Sequence, residues 1–217
     1  MITVTAFRWV PPFAQGLVRD LRVRWALQEA GLPYQVRLIG FEDQATPAYR
    51  AQQPFGQVPV YEEDGLTLFE SGAIVLHVAE RSEALLPADA AGRARARTWV
   101  LAALNSMEPA FDPLGDIDLF HADEEWAKAR RPEAEAGALE RLDKLAAWLG
   151  DRDYLEDRFT AGDLMMTTVL RNLRHTDLVA RFLNLEAYRQ RCEARPAFQR
   201  ALAEQMATFE QNTPAAA

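Results

Sequence analysis

Glu70 and Ser71 are the residues whose types and spacing most directly suggest chemistry. An acid and a hydroxyl stand just ahead of an apolar run that includes Ala73, Ile74, Val75, Leu76, Val78 and Ala79. Such a run reads as a helix, with Ser71 at its N-cap. A helix start presents N–H groups without intrahelical acceptors, together with a positive partial charge. That end attracts a carboxylate, and Glu70 beside it attracts an amine, so the pair suits the head group of an α-amino acid. The plainer reading of Ser71 is a cap and nothing more. The remaining chemistry-bearing residues are sparse. The three histidines, His77, His121 and His175, have no partners at metal-ligand spacing. Cys192 is the single cysteine, which excludes an internal disulfide, and it reads as a packed helical thiol.

The elements that must position Glu70 and Ser71 lie just before them. Residues 58–62 and 66–69 read as two strands, and Glu63-Asp64-Gly65 joins them; an Asp-Gly pair between apolar runs is a strong hairpin signal. Pro59 falls at the start of the first strand. A proline cannot donate to a ladder, so it belongs at an edge, a strand start or a special turn.

In this order, Val58-Pro59, a hairpin, Glu70-Ser71 and an apolar helix resemble the glutathione-binding half of the glutathione S-transferase superfamily. The resemblance implies a cis bond between Val58 and Pro59, with the Val58 main chain offered to the cysteinyl part of glutathione. It implies that Glu70 and Ser71 hold the γ-glutamyl end, with Gln57 nearby. It also implies a thioredoxin-like N-terminal α/β domain, an all-α C-terminal helical domain and a homodimer. The reaction implied is addition of the glutathione thiolate to a small apolar electrophile. Glutathione would serve as co-substrate, with no metal. A glutathione- or partner-binding protein without activity, or a glutathione-dependent peroxidase, would use the same scaffold.

A cysteine thiol, with a pKa of roughly 8.5, is mostly protonated at neutral pH, so an enzyme of this kind must stabilise the thiolate. The family pattern Ser-Pro-x-x-x-Arg-Val-Arg matches here at Arg22-Val23-Arg24, which puts Leu17 at the serine position. From Arg8 to Asp20 there is no Ser, Thr, Tyr or Cys. The groups left for the task are main-chain N–H groups of residues 15–18, assisted by the helix dipole and by Gln15 and Arg19. Each of these two side chains also has an ordinary reading, as a capping or surface residue.

The 217-residue chain is 49% hydrophobic with a formal charge of −8. That composition suffices for a core and argues against nucleic acid or an anionic membrane face as partner. No secretory pattern stands at the start and no apolar run has membrane length, so the cytoplasm is expected. Residues 2–7 and 34–39 read as strands, 8–15 as a loop, 17–30 as a helix and 44–50 as a short helix. Residues 86–92 form a linker between expected domains at 1–84 and 93–217.

The second half reads as helices, from 94 to a stop at Pro109, then 132–149, 164–172, 187–194 and 196–209. Residues 111–121, rich in Asp, Pro and Gly, read as a loop, and 211–217 as a disordered tail. Pro132 suits a helix start, and Thr160 with Asp163 resembles a capping box. By analogy with family topology, Asn105, Glu108, Phe111 and Arg171 would line an electrophile pocket, although packing explains each of them equally well.

Overall fold

The structure, a computed structural model, describes residues 1–214 and separates into two compact units. One comprises Met1–Leu85 together with residues 195–217, of which 195–214 are described. The other is residues 86–194.

The first unit is built on a four-stranded mixed sheet in the order β2-β1-β3-β4. β1 (Ile2–Phe7) pairs parallel with β2 (Tyr34–Ile39), Ile2 opposite Tyr34, after a crossover through α1 (Asp20–Ala30). β1 is buried almost throughout, as a central strand should be. β3 (Tyr61–Glu63) runs antiparallel to β1 and to β4 (Leu66–Leu68). Asp64 and Gly65 form the two-residue turn between them, with φ of 49° and 85°, the conformation for which an Asp-Gly pair is suited. A 3₁₀ turn (Phe41–Ala45) and the short α2 (Pro47–Arg50) lead from β2 toward the hairpin, and α3 (Ser71–Ala79) follows it. This is the thioredoxin-like domain.

α9 (Pro196–Gln211) belongs to this unit by contact, whereas the division expected at 93–217 put it with the other helices. Its apolar residues Phe198, Ala201 and Phe209 are buried, and the Phe198 ring meets Trp25 of α1 at 4.8 Å. Gln205 donates to Asp20 at 2.8 Å, and Asp20 is ion-paired with Arg24 at 2.7 Å, both at most 2% exposed. Arg195 grips Glu29 with two contacts of 2.6 and 2.8 Å. Gln211 is helical rather than part of a loose tail, and Asn212 and Thr213 bond back to Thr208 and Phe209. Residues 215–217 lie outside the described residues.

The second unit is helical: α4 (Ala90–Ala102), α5 (Glu108–Phe120), α6 (Glu125–Leu149), α7 (Ala161–Leu170) and α8 (Leu183–Glu193). α4 begins inside the expected linker, with Asp89 accepting from the N–H of Gly92 at 2.7 Å. Three helix boundaries differ from expectation. Pro109 does not stop the chain; a wide turn, Ala103–Met107, leads into α5, where Pro109 sits in the first turn and costs little. Residues 111–120 are helical because Phe111, Leu114 and Ile117 form a buried stripe that outweighs the Asp, Pro and Gly between them. α6 starts seven residues before Pro132. Buried Ala127 and the Arg131 fork on Asp118 (2.7 and 3.0 Å) hold that segment despite the missing amide.

The capping box of α7 is present. Thr160 accepts from Gly162 N–H, and Asp163 accepts from the Thr160 and Leu155 N–H groups. Every residue of α7 is buried. Cys192 is fully buried, as expected of a packed thiol.

Candidate functional site

The hairpin brings the two sequence-predicted groups of residues to one end. Val58 lies three positions before the start of β3, Glu70 two positions after the end of β4, and Tyr61 pairs with Leu68 between them. The Val58–Pro59 peptide is cis, as the motif implied. The approach to it is fixed by side chains. Tyr49 donates its hydroxyl to the Gln57 carbonyl at 2.6 Å, and burial pushes the Tyr49 pKa up to about 12. Gln44 donates to the Gly56 carbonyl at 2.5 Å. Phe55 of the same loop meets Phe69, the residue before Glu70, edge to face at 6.1 Å. The Val58 side chain sits in a buried cluster with Ile39, Tyr49 and Val60, against which Val18 packs from the segment ahead of α1.

Hydrogen-bond accounting singles out the same residues. Buried main-chain groups are almost always paired. The N–H and C=O of Val58, itself 7% exposed, bond to no described residue. The N–H groups of Ser71, Gly72 and Ala73 likewise find no acceptor among the described residues; pairing resumes where Ile74 donates to the Glu70 carbonyl at 3.0 Å. The carboxylate of Glu70 and the amide of Gln57, both exposed, make no hydrogen bond or ion pair with a described residue. Donors for a carboxylate, an acceptor for an amine and a strand-like edge are therefore open at one end of the hairpin.

Ser71 corrects one expectation. It is the first residue of α3 and not the cap; the cap position is Glu70, whose side chain makes no capping bond. Glu70 holds φ +68° and ψ 112°, a conformation that L-residues rarely adopt. The Ser71 hydroxyl instead accepts from the Arg22 guanidinium at 3.2 Å, both residues being buried. Its own proton is thereby left to donate. Sequence reasoning missed this role of Arg22, although Arg22-Val23-Arg24 was the stretch that matched the family pattern.

The loop after β1 is less open than the expected thiolate site. Pro12–Ala14 form a 3₁₀ turn and Gly16 takes φ +77°. Of the four expected main-chain donors, the N–H of Gln15 goes to the Pro12 carbonyl and that of Leu17 to Ala14. The N–H of Val18 meets no acceptor among the described residues. Gln15 is half-buried and its side-chain amide donates to the Val10 carbonyl at 3.0 Å. Arg19 is exposed at the start of α1.

In the second unit, three of the four candidates for an electrophile pocket have structural work of their own. Phe111 is 1% exposed, Glu108 is buried and accepts from Asn172 at 3.3 Å, and Arg171 pairs with Glu193 at 3.1 Å. Asn105 is exposed. Among the described residues no helix is long and apolar enough to cross a membrane.

Comparison with known proteins agrees with this geometry. Residues 14–80 match the N-terminal domain of glutathione S-transferases and residues 106–196 match their C-terminal domain. The chain belongs to the glutathione S-transferase superfamily. A glutathione S-transferase-like protein of Aspergillus terreus is 32% identical over 138 residues, 61% of this chain and 57% of that protein. Glutathione S-transferase 4 of Zea mays is 40% identical over 78 residues, 35% of this chain and 32% of that protein. These matches span little more than half, or less, of the relatives' lengths. The fold carries further. A glutathione transferase of Burkholderia graminis, solved with two glutathione molecules per subunit, superposes with a TM-score of 0.80 at 30% identity, covering 93% of this chain and 87% of that one. A family member from Pseudomonas fluorescens, with two glutathione bound, gives 0.81 at 27% identity over 93% and 92%.

Proposed function

We propose that the chain binds glutathione at the open end of the β3–β4 hairpin and presents its thiolate to a small apolar electrophile. The observation that carries this reading is the coincidence of unused hydrogen-bonding groups with the family's motif: the Val58 main chain, the start of α3, Glu70 and Gln57. Val58 pairs strand-fashion with the cysteinyl unit. Ser71, Gly72 and Ala73 donate to the γ-glutamyl carboxylate, which the α3 dipole also favours. Glu70 takes the ammonium, and Gln57 donates beside it. Glutathione is the co-substrate, and no metal takes part in this scheme.

The thiolate lies toward the segment ahead of α1, where Val18 packs on the cluster that contains Val58. There the free Val18 N–H and the α1 dipole lower the thiol pKa, with Arg19 adding positive charge and Gln15 shaping the loop. One pKa unit needs about 1.4 kcal/mol, within reach of a dipole term of roughly 0.3–1 kcal/mol plus one charge-assisted hydrogen bond.

A second reading is glutathione or partner binding without turnover. It is favoured by the absence of any Ser, Thr, Tyr or Cys between Arg8 and Asp20. The proposed setting in both readings is a cytoplasmic homodimer; exposed Phe55, Leu66 and Phe69 supply an apolar surface for it. Calorimetric titration with glutathione, followed by ultraviolet titration of the bound thiol and a panel of electrophiles and peroxides, separates the readings. A bound thiol pKa below that of free glutathione supports the transferase. An unshifted pKa selects the non-catalytic reading, and absence of binding at millimolar glutathione removes both.

A further inference from the structure

α9 reaches the segment ahead of α1 through one buried amide. Gln205, 0% exposed, donates from Nε2 to the Val18 carbonyl at 3.2 Å and to the Asp20 carboxylate at 2.8 Å. Both partners are acceptors, so the amide nitrogen must face them. Val18 and Asp20 stand on either side of Arg19, the N-cap of α1. A contact so remote in sequence belongs to the tertiary fold and not to the helix itself.

Packing alone does not call for this amide. Phe198, Ala201 and Phe209 already bury the apolar side of α9. A buried amide is costly unless it is hydrogen-bonded, and an apolar side chain of similar size could fill the place. Each partner also has another bond: the Val18 carbonyl accepts from the Leu21 N–H at 3.0 Å, and Asp20 is paired with Arg24 at 2.7 Å. What the amide adds is restraint, since it ties the Val18 carbonyl and the first residue of α1 to one point. Val18 is the residue whose N–H meets no acceptor among the described residues. Its side chain packs on the cluster that contains Val58. Burial pushes the Asp20 pKa up, and Arg24 and then Gln205 oppose this, so the same amide helps to keep the ion pair charged.

We propose, on the thiolate reading given above, that Gln205 is a positioning residue: it fixes the backbone at Val18 so that the Val18 N–H meets the glutathione sulfur.

The test uses the full chain with two ligands. Ultraviolet titration reads the pKa of bound glutathione. Calorimetry reads the affinity for S-methylglutathione, which has no thiol to ionise. Gln205→Met fills the same space without donors. It should raise the bound thiol pKa by about half to one unit, the range of one charge-assisted hydrogen bond lost from alignment. It should change S-methylglutathione affinity by less than about twofold, because the groups at the hairpin are untouched. Gln205→Asn, which keeps the amide but draws it back by one methylene, should raise the pKa in the same direction; it carries the test if Gln205→Met does not fold. Phe198→Leu loosens α9 against Trp25 and leaves the amide in place, so it should keep the parent pKa. A parent pKa below that of free glutathione, and equally low in both Gln205 variants, overturns the proposal and spares the thiolate reading. A rise matched by Phe198→Leu reduces Gln205 to packing and overturns it too. So does a tenfold loss of S-methylglutathione affinity in Gln205→Met, which would move the effect to the hairpin. A parent pKa equal to that of free glutathione removes the thiolate reading and the role of Gln205 together.

Discussion

Ser71→Ala tests whether the hydroxyl at the start of α3 acts through Arg22. As a cap, Ser71 would lose about 1 kcal/mol on truncation, with no dependence on any distant residue. In the structure the hydroxyl makes no cap and accepts from Arg22 at 3.2 Å, across 49 residues of sequence. A hydrogen bond to a charged group contributes about 1.5–3 kcal/mol. Its length is at the long end of the N–H···O range, so the low end, about 1.5 kcal/mol, applies. Both residues are buried, which limits replacement of the bond by water. The measurement is a urea double-mutant cycle with Arg22→Gln, read as midpoint changes at constant slope. The coupling should be about 1 kcal/mol or more. Additivity within about 0.3 kcal/mol would refute the argument and return Ser71 to a local role. The same variants should show glutathione affinity falling roughly tenfold in Ser71→Ala, through loss of the hydroxyl's own donor.

Asp163→Ala should cost at least about 3 kcal/mol in urea unfolding, since its carboxylate accepts from Leu155 and Thr160 N–H and from the Thr160 and Tyr188 hydroxyls, and each orphaned donor costs roughly 1–3 kcal/mol. His121 should titrate above its ordinary 6.5, because its hydrogen bond with Glu124, and then the charges of Glu124 and Asp116, favour the imidazolium. The stabilising contribution is present below 6.5 and is lost as pH rises through the raised value; nuclear magnetic resonance titration of Glu124→Gln should return the histidine toward 6.5. Glu70→Gly should gain about 1 kcal/mol of stability, because backbone strain of roughly 1–3 kcal/mol is released against a glycine entropy cost of about 0.5–1 kcal/mol. The same change should weaken glutathione about tenfold, and a variant that lost both stability and affinity would contradict it.

The hairpin, β1, β2, the cis Val58–Pro59 bond and the Thr160–Asp163 box were legible because each rests on a short local pattern: alternation, an Asp-Gly turn, a motif proline, a capping pair. The misread stretches share a different cause. Residues 111–120 and 125–131 carry prolines and turn-forming residues, and their helicity depends on partners remote in sequence, such as Asp118 for Arg131. Ser71 was misassigned by one position, since a cap and a first helical residue look alike until the φ of Glu70 is known. Arg22 was visible only as a motif letter, and its contact to Ser71 is tertiary. α9 reads as one more helix of a bundle, yet Gln205, Phe198 and Arg195 tie it to α1 in the first unit.

Two independent kinds of order converge at the hairpin end. A folded chain rarely leaves main-chain groups unpaired or holds a glutamate at positive φ without some compensating interaction. Among the described residues, Val58 and residues 71–73 do the first, and Glu70 does the second. Packing holds this arrangement from both sides. Tyr49 and Gln44 fix the loop that enters it, while Arg22 fixes the hydroxyl that leaves it. On the proposed reading, affinity for an amino-acid head group would be built from a backbone that the core keeps incomplete. The proposed thiolate position lacks such preparation: Gln15 and Leu17 have already closed their N–H groups onto the preceding turn. Binding should consequently tolerate changes in the Arg8–Asp20 loop that abolish thiolate activation, whereas no change at Val58, Glu70 or Ser71 should remove binding and spare activation.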